Sequence, residues 1–216
     1  LRQEHRIGIG LRRDPMTRTA QEGLLYSVNP VRFCKDVGLV VDVEGDDGLL
    51  PPSGLLRLGG ESRGAVYSRV EDVRWDNIIE EVKRQVSKSG RFKLYLITPA
   101  IFSKGWYPDF LEEECGQLKG APPGVDARIE LVGACVGKPL FIGGFHIRRG
   151  YPKPIYKAVP PGSVYFMKIS KWDVLSCKEK EKILFQLFER FFYKSLIDQD
   201  SPLWKEGFGV ALVGGW

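Results

Sequence analysis

Two segments of the chain place their apolar residues at the three- and four-residue spacing of an amphipathic helix. The first covers residues 75–88, and Gly90 follows it where a left-handed helix cap is common. The second starts at Ser176, which makes an S-x-x-E capping box with Glu179. Its wide apolar face consists of Ile183, Leu184, Leu187, Phe188, Phe191, Phe192 and Leu196. We predict one helix in each segment.

Most other apolar positions occur in short runs of strand length, bounded by glycine, proline or polar residues. In the C-terminal part these runs are FKLYLITP, ARIELVGACV, PLFIGGFHI, SVYFMKI and GVALV. In the N-terminal part they are HRIGIGL, LLYSVNPVRF, VGLVVDVEG and GAVYSRV. We predict strands there, a short helix over GLLRL, and a loop-rich stretch over residues 100–126.

The order of these elements indicates an α+β fold. From Arg91 onward the order is strand, linker or helix, strand, strand, helix, strand. It resembles the ferredoxin-like β-α-β-β-α-β layout, in which helices cover one face of an antiparallel sheet and leave the other face free. The RNA-recognition motif shares this layout. We therefore predict a ferredoxin-like, RRM-like domain over residues 91–216.

Length and composition set the broad class of protein. The chain has 216 residues, of which 43% are apolar, which is enough for one large or two small packed domains. No apolar run approaches the roughly 20 residues that span a bilayer, so we expect a cytoplasmic protein without membrane contact. The chain opens on Leu1 directly into a strand-like run, and we expect that an N-terminal portion is missing.

The cysteines and the acidic run at residues 112–114 give no sign of a metal site. The four cysteines show no C-x-x-C spacing, so buried thiols are expected rather than disulfides or zinc ligands. The acidic run has no histidine or spaced aspartate beside it, and we interpret it as a solvated face.

The charge is distributed unevenly along the chain. Residues 131–172 contain seven lysines and arginines and no aspartate or glutamate, although the net charge is only +5. At the average acidic content of the chain, a window of this length should hold about five carboxylates, so their exclusion is a feature of the sequence. The opening segment, which includes Arg12 and Arg13, is a second basic patch.

Four stretches of the sequence together resemble one protein family. They are RIGIGLRRDPMTRTAQEGLLYSV, LGGESRGAV, LVGACVGKPLFIGGF with KAVPPGSVYF, and EGFGVALVGGW. In this order they are similar to the RAMP superfamily of CRISPR effector proteins, and within it to the third subunit of the type III-B Cmr RNA-silencing complex. Each motif alone is weak, but the four together are specific and cover nearly all of the chain.

The resemblance implies a tandem of ferredoxin-like RAMP domains with glycine-rich loops, with residues 1–90 as part of the first and residues 91–216 as the second. It also implies a non-catalytic subunit without a cofactor. This subunit would lie beside the large polymerase-like subunit and adjacent RAMP subunits and contact the 5′ tag of the crRNA. The RAMP glycine loop best matches Gly207, Gly209, Gly214 and Gly215.

An RNA partner gives a physical reason for the missing carboxylates, because phosphates attract cations that no negative side chain opposes. Glycine-rich turns also let backbone N–H groups approach a sugar-phosphate chain closely. Tyr151 and Tyr156 are candidates for stacking on bases or, alternatively, for packing. The predicted RNA-binding residues are Lys138, Gly143, Gly144, His146, Arg148, Arg149, Lys153 and Lys157, with Gly59, Gly60 and Arg63 and with Arg12 and Arg13 on two further surfaces.

Two other functions also fit the sequence. His146 lies beside a glycine pair and two arginines, where it suits a general base for metal-independent cleavage of CRISPR repeat RNA. A protein-only scaffold would instead use the basic surface to bind an acidic partner. In AIFSKGWYPDF the aromatic side chains fit either an interface with another subunit or the core; they are Phe102, Trp106, Tyr107 and Phe110.

Overall fold

A computed structural model describes residues 2–3, 6–8, 16, 26–28, 31–32, 37–41, 43, 48–58, 64–70, 76–146, 149–197, 201 and 203–216. The chain divides into two compact units, Leu1–Glu71 and Asp72–Trp216. The predicted helix at residues 75–88 therefore lies in the second unit, whereas the sequence-based boundary at residue 90 assigned it to the first region.

In the first unit, the described strands form antiparallel pairs. They are β1 (Arg2–Gln3), β2 (Arg6–Gly8), β3 (Tyr26–Val28), β4 (Val31–Arg32), β5 (Ser53–Arg57) and β6 (Gly64–Ser68). Strand β1 pairs with β4, β2 with β3, and β5 with β6. The predictions of strands in HRIGIGL and GAVYSRV are thereby confirmed. LLYSVNPVRF, predicted as one strand, contains the two strands β3 and β4, which pair with different partners.

Two predictions for the first unit are wrong. The residues GLLRL form β5 rather than a helix, and Gly54 leaves room for the Tyr67 ring across the strand pair, where a Cβ atom would lie 2.8 Å from that ring. In VGLVVDVEG, the described residues 37–41 and 43 are exposed and form no strand. No strand among the residues that the structure describes pairs with them, so the apolar run alone does not make a strand.

The second unit contains a seven-stranded sheet, a separate two-stranded sheet and two α-helices among its described residues. The helices are α1 (Asp76–Ser89) and α2 (Cys177–Phe191). The strands are β7 (Arg91–Leu96), β8 (Glu112–Glu114), β9 (Gln117–Gly120), β10 (Ile129–Cys135), β11 (Leu140–His146), β12 (Tyr151–Ala158), β13 (Val164–Ile169), β14 (Lys194–Ser195) and β15 (Val210–Gly215). The large sheet has the order β14-β15-β7-β13-β10-β9-β8 and is antiparallel throughout.

Both predicted helices are confirmed, with the capping box at the start of α2 and the glycine cap of α1. The end of the second helix differs from the prediction, because α2 ends at Phe191 and Leu196, predicted on its apolar face, follows β14. The Glu179 carboxylate accepts from the Ser176 N–H at 2.8 Å, and the Ser176 hydroxyl accepts from the Glu179 N–H at 3.4 Å, which completes the capping box. Helix α1 ends before Gly90, whose φ of +63° is the left-handed conformation of a helix cap. The Trp172 ring packs directly on Gly90, where a Cβ atom would lie 2.3 Å from Cγ of the indole.

The core lies between the helices and one face of the large sheet. On the central strand β7, Phe92, Leu94 and Leu96 are buried, and the ring of Phe92 stacks on Phe191 of α2 at 6.3 Å between centroids. The alternate residues of β7 point to the other face, which the two helices do not cover. The sheet therefore has one buried face and one face with partly exposed side chains.

This architecture is the predicted α+β class, but its element order differs from the predicted layout. Of the five strands predicted in the C-terminal part, the first, second, fourth and fifth are β7, β10, β13 and β15, which lie side by side and antiparallel in the order β15-β7-β13-β10. The third, PLFIGGFHI, is β11 and belongs to the separate two-stranded sheet. For residues 97–128 the sequence left a linker and a helix as alternatives. All of these residues are described, and they contain the hairpin β8–β9 and no α-helix; the first helix of the unit, α1, lies before β7. Prolines in this segment and the absence of a helical apolar period explain why the linker alternative is the one observed.

The fold shows which aromatic side chains of AIFSKGWYPDF are buried and which are exposed. Phe102 is in the core and Phe110 packs on Phe191, whereas Trp106 is 45% exposed. The acidic run is exposed, as predicted, and it forms the strand β8, which was not predicted. The prediction of buried thiols is wrong for the three described cysteines, Cys115, Cys135 and Cys177, which are exposed in a turn, at a strand end and at a helix start. Within the described residues, no helix combines the length and the apolar character required to cross a membrane.

Candidate nucleic-acid interface

Strands β11 and β12 form a ribbon of their own within the carboxylate-free segment. The turn between them is closed by hydrogen bonds in which Arg149 and Gly150 donate their N–H groups to the carbonyl of His146, at 3.0 and 2.8 Å. Gly150 has a φ of +70°, which a glycine adopts without strain. Arg148, a predicted site residue in this turn, lies outside the described residues.

Strand β12 was not predicted from the sequence. Pro152 and Pro154 mark it as a loop, since proline cannot donate to a strand ladder and is confined to edges and bulges. A two-stranded ribbon has an open edge on each strand, and this allows the prolines. The residues of β12 show no regular alternation of apolar and polar side chains that would indicate the strand.

A β-bulge divides the ribbon into two parts with opposite alternation. Ile142 pairs with Tyr156, and Gly144 pairs with Lys153, so that Pro154 and Ile155 together oppose the single residue Gly143. Directly paired residues lie on the same face, and each step along a strand changes the face. The bulge therefore places Lys153 and Lys157 on opposite faces, although their spacing of four residues in a regular strand would place them on the same face.

One face carries both tyrosines, and we call it the tyrosine face. It includes Gly144, His146, Tyr151, Lys153 and Tyr156, and by register also Leu140, Ile142 and Ala158. The rings of His146 and Tyr151 are 5.7 Å apart between centroids, and the Arg149 guanidinium donates a hydrogen bond to the Tyr151 hydroxyl at 3.1 Å. A cation, a phenol and an imidazole are thus held together at the end of the ribbon.

The opposite face carries large exposed apolar side chains, and we call it the phenylalanine face. It includes Phe141, Gly143, Ile155 and Lys157, and by register also the pair of Phe145 and Pro152. Phe141 is 68% exposed and Ile155 is 73% exposed. Gly143 belongs to this face, because a Cβ atom there would lie 3.3 Å from the Ile155 side chain. Two adjoining apolar side chains of this exposure are typical of a surface that another molecule covers.

The structure thus divides the predicted RNA-binding set. Gly144, His146, Arg149 and Lys153 come together at and near the tyrosine face, whereas Lys157 and Gly143 lie on the phenylalanine face. Lys138 is exposed in the segment that leads into β11. The remaining candidates, Arg12, Arg13, Gly59, Gly60 and Arg63, lie outside the described residues.

The predicted glycine loop begins as a turn before β15. Gly207 and Gly209 have φ values of +78° and +76°. Gly209 is buried and its N–H donates to the Pro99 carbonyl at 2.8 Å, while the Gly207 carbonyl accepts from the Thr98 hydroxyl at 2.8 Å. These two glycines therefore provide a left-handed turn, and the N–H of Gly209 is already occupied inside the protein.

Gly214 and Gly215 lie within β15 rather than in a loop, and each makes room for a side chain. A Cβ atom at Gly214 would lie 2.8 Å from Cε of Lys93, and one at Gly215 would lie 2.5 Å from the Gln85 amide oxygen on α1. The bulky neighbours lie on opposite faces of the sheet. Both glycines thus make room for a neighbouring side chain within the protein.

Lys153 connects the ribbon to the glycine turn. Its ammonium group is 3.6 Å from the carboxylate of Glu206, the residue directly before Gly207. Both side chains are about half exposed, so this ion pair is screened by solvent. The charge of Lys153 is partly neutralised where the sequence predicted an unopposed cation.

Asp126, Lys182 and Tyr165 of the second unit have shifted pKa values. A hydrogen bond from Lys182, supported by one from Gln186, lowers the pKa of the Asp126 carboxyl, and Asp126 in turn raises the pKa of Lys182. Burial raises the pKa of the Tyr165 hydroxyl, which donates to the Trp106 carbonyl at 2.6 Å. These groups stabilise the fold and do not form a site.

The fold and the ribbon define a small α+β protein with a one-sided helical layer and an exposed basic and aromatic hairpin. The sequence model of a family described as CRISPR-associated protein (Cas_Cmr3) matches residues 1–216. The chain belongs to that family, a subunit family of the type III-B Cmr complex, which confirms the resemblance found in its motifs. A comparison with curated proteins finds no match.

Proposed function

We propose that this chain is a non-catalytic, RNA-binding architectural subunit of a type III-B effector complex in the cytoplasm. It holds the 5′ tag of the crRNA and docks the large polymerase-like subunit and adjacent RAMP subunits. Sequence selection is left to base pairing by the crRNA, while the protein holds the backbone and its shape. The family membership supports the complex, and the ribbon supports the RNA partner.

The observation that carries this proposal is the tyrosine face of the ribbon. Arg149 and Lys153 supply positive charge, and Tyr151 and Tyr156 supply ring planes next to them. Proteins that bind single-stranded RNA combine cations that track the backbone with aromatic side chains on which bases stack. The hydrogen bond from Arg149 to Tyr151 orders this ring before RNA arrives, which lowers the entropic cost of binding.

We further propose that the phenylalanine face docks a protein subunit. Phe141 and Ile155 are apolar and highly exposed, and RNA contacts would leave them only partly desolvated. A ribbon with one face for RNA and one for protein would position the crRNA tag against a neighbouring subunit. This division explains why one short ribbon contains both cations and large apolar side chains.

The fold supports a more specific assignment of the second unit. We propose that Asp72–Trp216 is a ferredoxin-like RAMP domain in which the hairpin β8–β9 occupies the connection that normally holds the first helix. The antiparallel order β15-β7-β13-β10 and the helices on one face support it. The first unit would then contribute to the other domain of a tandem pair.

Retention of crRNA by the assembled complex tests the proposed RNA-binding role. The double variant Arg149→Ala and Lys153→Ala should lose crRNA at lower salt than the wild type, because it binds with fewer phosphate contacts. Its log–log salt slope should also be shallower, by about 0.7 for each lost contact. Lys178→Ala is the matched control, since Lys178 is exposed on α2. Unchanged retention and an unchanged slope in the double variant would remove the tyrosine face from the proposal.

Incubation of CRISPR repeat RNA with the full chain, without metal, tests whether the subunit is non-catalytic. The expected result is that the RNA stays intact. Cleavage that is lost in His146→Ala would identify His146 as the general base of an endoribonuclease and would contradict the proposal.

A further inference from the structure

The exposed face of the large sheet carries a second group of cations and aromatic rings, remote in sequence from the ribbon. We infer that this face is a stacking platform for single-stranded RNA. The inference rests on the proposed RNA-binding function and adds a second site to it. We call this surface the sheet platform; it consists of Arg91, Lys93, Tyr95, Phe166, Lys168 and Trp216.

The pairing of the strands arranges these side chains in rows across the sheet. Phe166 pairs with Lys93, and Lys168 pairs with Arg91, so that β7 and β13 present neighbouring side chains on one face. Tyr95 lies two residues along β7 from Lys93 and is 44% exposed. Rows of this kind repeat about every 7 Å along a strand, and an extended RNA strand can follow them.

Trp216 is fixed on this face. Its indole N–H donates to the carbonyl of Phe92 at 2.9 Å, and its ring meets the Phe166 ring edge to face at 5.2 Å between centroids. The Arg91 guanidinium lies 5.1 Å from the centroid of the indole. Trp216 is still 40% exposed, so the sheet holds in a fixed orientation an aromatic ring that solvent can reach.

Gly214 sets the position of Lys93 on the platform. A Cβ atom at Gly214 would lie 2.8 Å from Cε of Lys93, so the lysine side chain crosses β15 where that strand has no side chain. A glycine at this strand position gives the lysine stem room beside the aromatic rings. This contact gives Gly214 a role in the platform that differs from a glycine loop.

The charge of the platform favours an anionic polymer. Arg91, Lys93 and Lys168 lie on adjacent positions of two strands. The nearest carboxylate in register is Glu130, which pairs with Lys168 but accepts a hydrogen bond from Ser170 at 2.7 Å and lies 3.9 Å from Lys119. A nucleic acid supplies phosphates for the cations and base planes for the rings, and single-stranded RNA supplies both without a groove.

The experiment measures binding of a 5′-fluorescein oligouridine to the full chain by fluorescence anisotropy. Tyr95→Ala should raise Kd about tenfold, because one stacked base is lost, whereas Tyr95→Phe keeps the ring and should bind like the wild type. Lys168→Ala should reduce the salt slope by about 0.7. Phe185→Ala is the matched aromatic control, since Phe185 is 63% exposed on α2, and it should change nothing.

Folding and direct contact are checked separately. Circular dichroism and thermal melting show whether each variant remains folded, and crosslinking of 4-thiouridine RNA to Tyr95 or Trp216 in the wild type, located by mass spectrometry, needs no variant. Crosslinks confined to other residues, together with wild-type affinity of Tyr95→Ala, would overturn the inference. If Tyr95→Ala lost binding to the large subunit in the absence of RNA but still bound RNA, the face would be assigned to a protein partner. This result would also overturn the inference.

The ribbon variant separates this inference from the proposed function. If Arg149→Ala with Lys153→Ala weakens binding and Tyr95→Ala does not, the ribbon proposal holds and the platform is wrong. The reverse result would keep the platform and remove the ribbon as an RNA site. A wild-type chain that fails to bind the oligouridine and gives no crosslink in the assembled complex would end both.

Discussion

Phe191 and Phe141 show how differently the second unit uses the same kind of residue. Phe191 is fully buried between α2 and the large sheet, while Phe141 is 68% exposed on the ribbon. In the sheet, alternate residues of β7 are buried against helices, whereas nearly all described side chains of the ribbon are at least partly exposed. The ribbon therefore contributes little to the core, and its aromatic content calls for an explanation in terms of binding.

The largest expected effect is the loss of stability when the core residue Phe191 is replaced. Phe191→Ala should lower the free energy of unfolding by about 3–5 kcal/mol, because it leaves a cavity beside Phe92 and Phe110. Phe141→Ala should change it by less than about 0.5 kcal/mol. Chemical denaturation of the two variants measures the difference, and comparable losses would show that the ribbon is part of the folding core.

Two glycines with the same backbone conformation give the next largest contrast. Gly90→Ala should cost about 3 kcal/mol, because the left-handed φ adds to an overlap with the Trp172 ring. Gly150→Ala has a similar φ in the ribbon turn but open space around it, and should cost about 1 kcal/mol. Equal melting temperatures of the two variants would contradict the packing of Trp172 on the helix cap.

The capping box of α2 gives a smaller effect that depends on pH. Ser176→Ala should cost about 1 kcal/mol at neutral pH. The Ser176 hydroxyl and N–H lower the pKa of the Glu179 carboxyl, so its contribution is complete above the unfolded pKa and is lost as pH falls through the folded pKa. Stability measured across the acidic range should therefore fall less steeply in Ser176→Ala. Glu181→Gln, an exposed position on the same helix, serves as the control.

The smallest expected effect concerns the ribbon alone. Glu206→Gln should strengthen binding of single-stranded RNA by about threefold, because it releases the charge of Lys153 from an exposed ion pair. Anisotropy titrations at low salt would measure this gain, which should disappear at high salt. If Glu206→Gln strengthened RNA binding by the same factor in a Lys153→Ala background, the gain would not come from the release of Lys153.

The sequence predicted the parts of the fold in which local signals and tertiary packing agree. The capping box at Ser176 and Glu179, the apolar face of α2 and the strand β7 all follow from their spacing. Strand β12 was missed because Pro152 and Pro154 contradict a strand locally, and only the edge position makes them acceptable.

The candidate site was predicted in composition but not in arrangement. The missing carboxylates identified the segment that forms the ribbon, yet the bulge at Gly143 that separates Lys153 from Lys157 depends on cross-strand register. The sheet platform has no sequence signal of its own, because its residues come from three strands that only the sheet order brings together. Pair register of this kind is a tertiary property that one-dimensional patterns do not contain.

The bulge opposite Gly143 also bears on how such a ribbon changes in evolution. Loss of Pro154 alone would leave Ile155 as the single residue opposite Gly143 and restore a regular ladder. Lys153 and Tyr151 would keep Gly144 and His146 as partners and would stay on the tyrosine face, while the bend and the extra twist of the bulge would be lost. Related chains that are one residue shorter at this point would therefore be expected to hold the same partner on each side of a straighter hairpin.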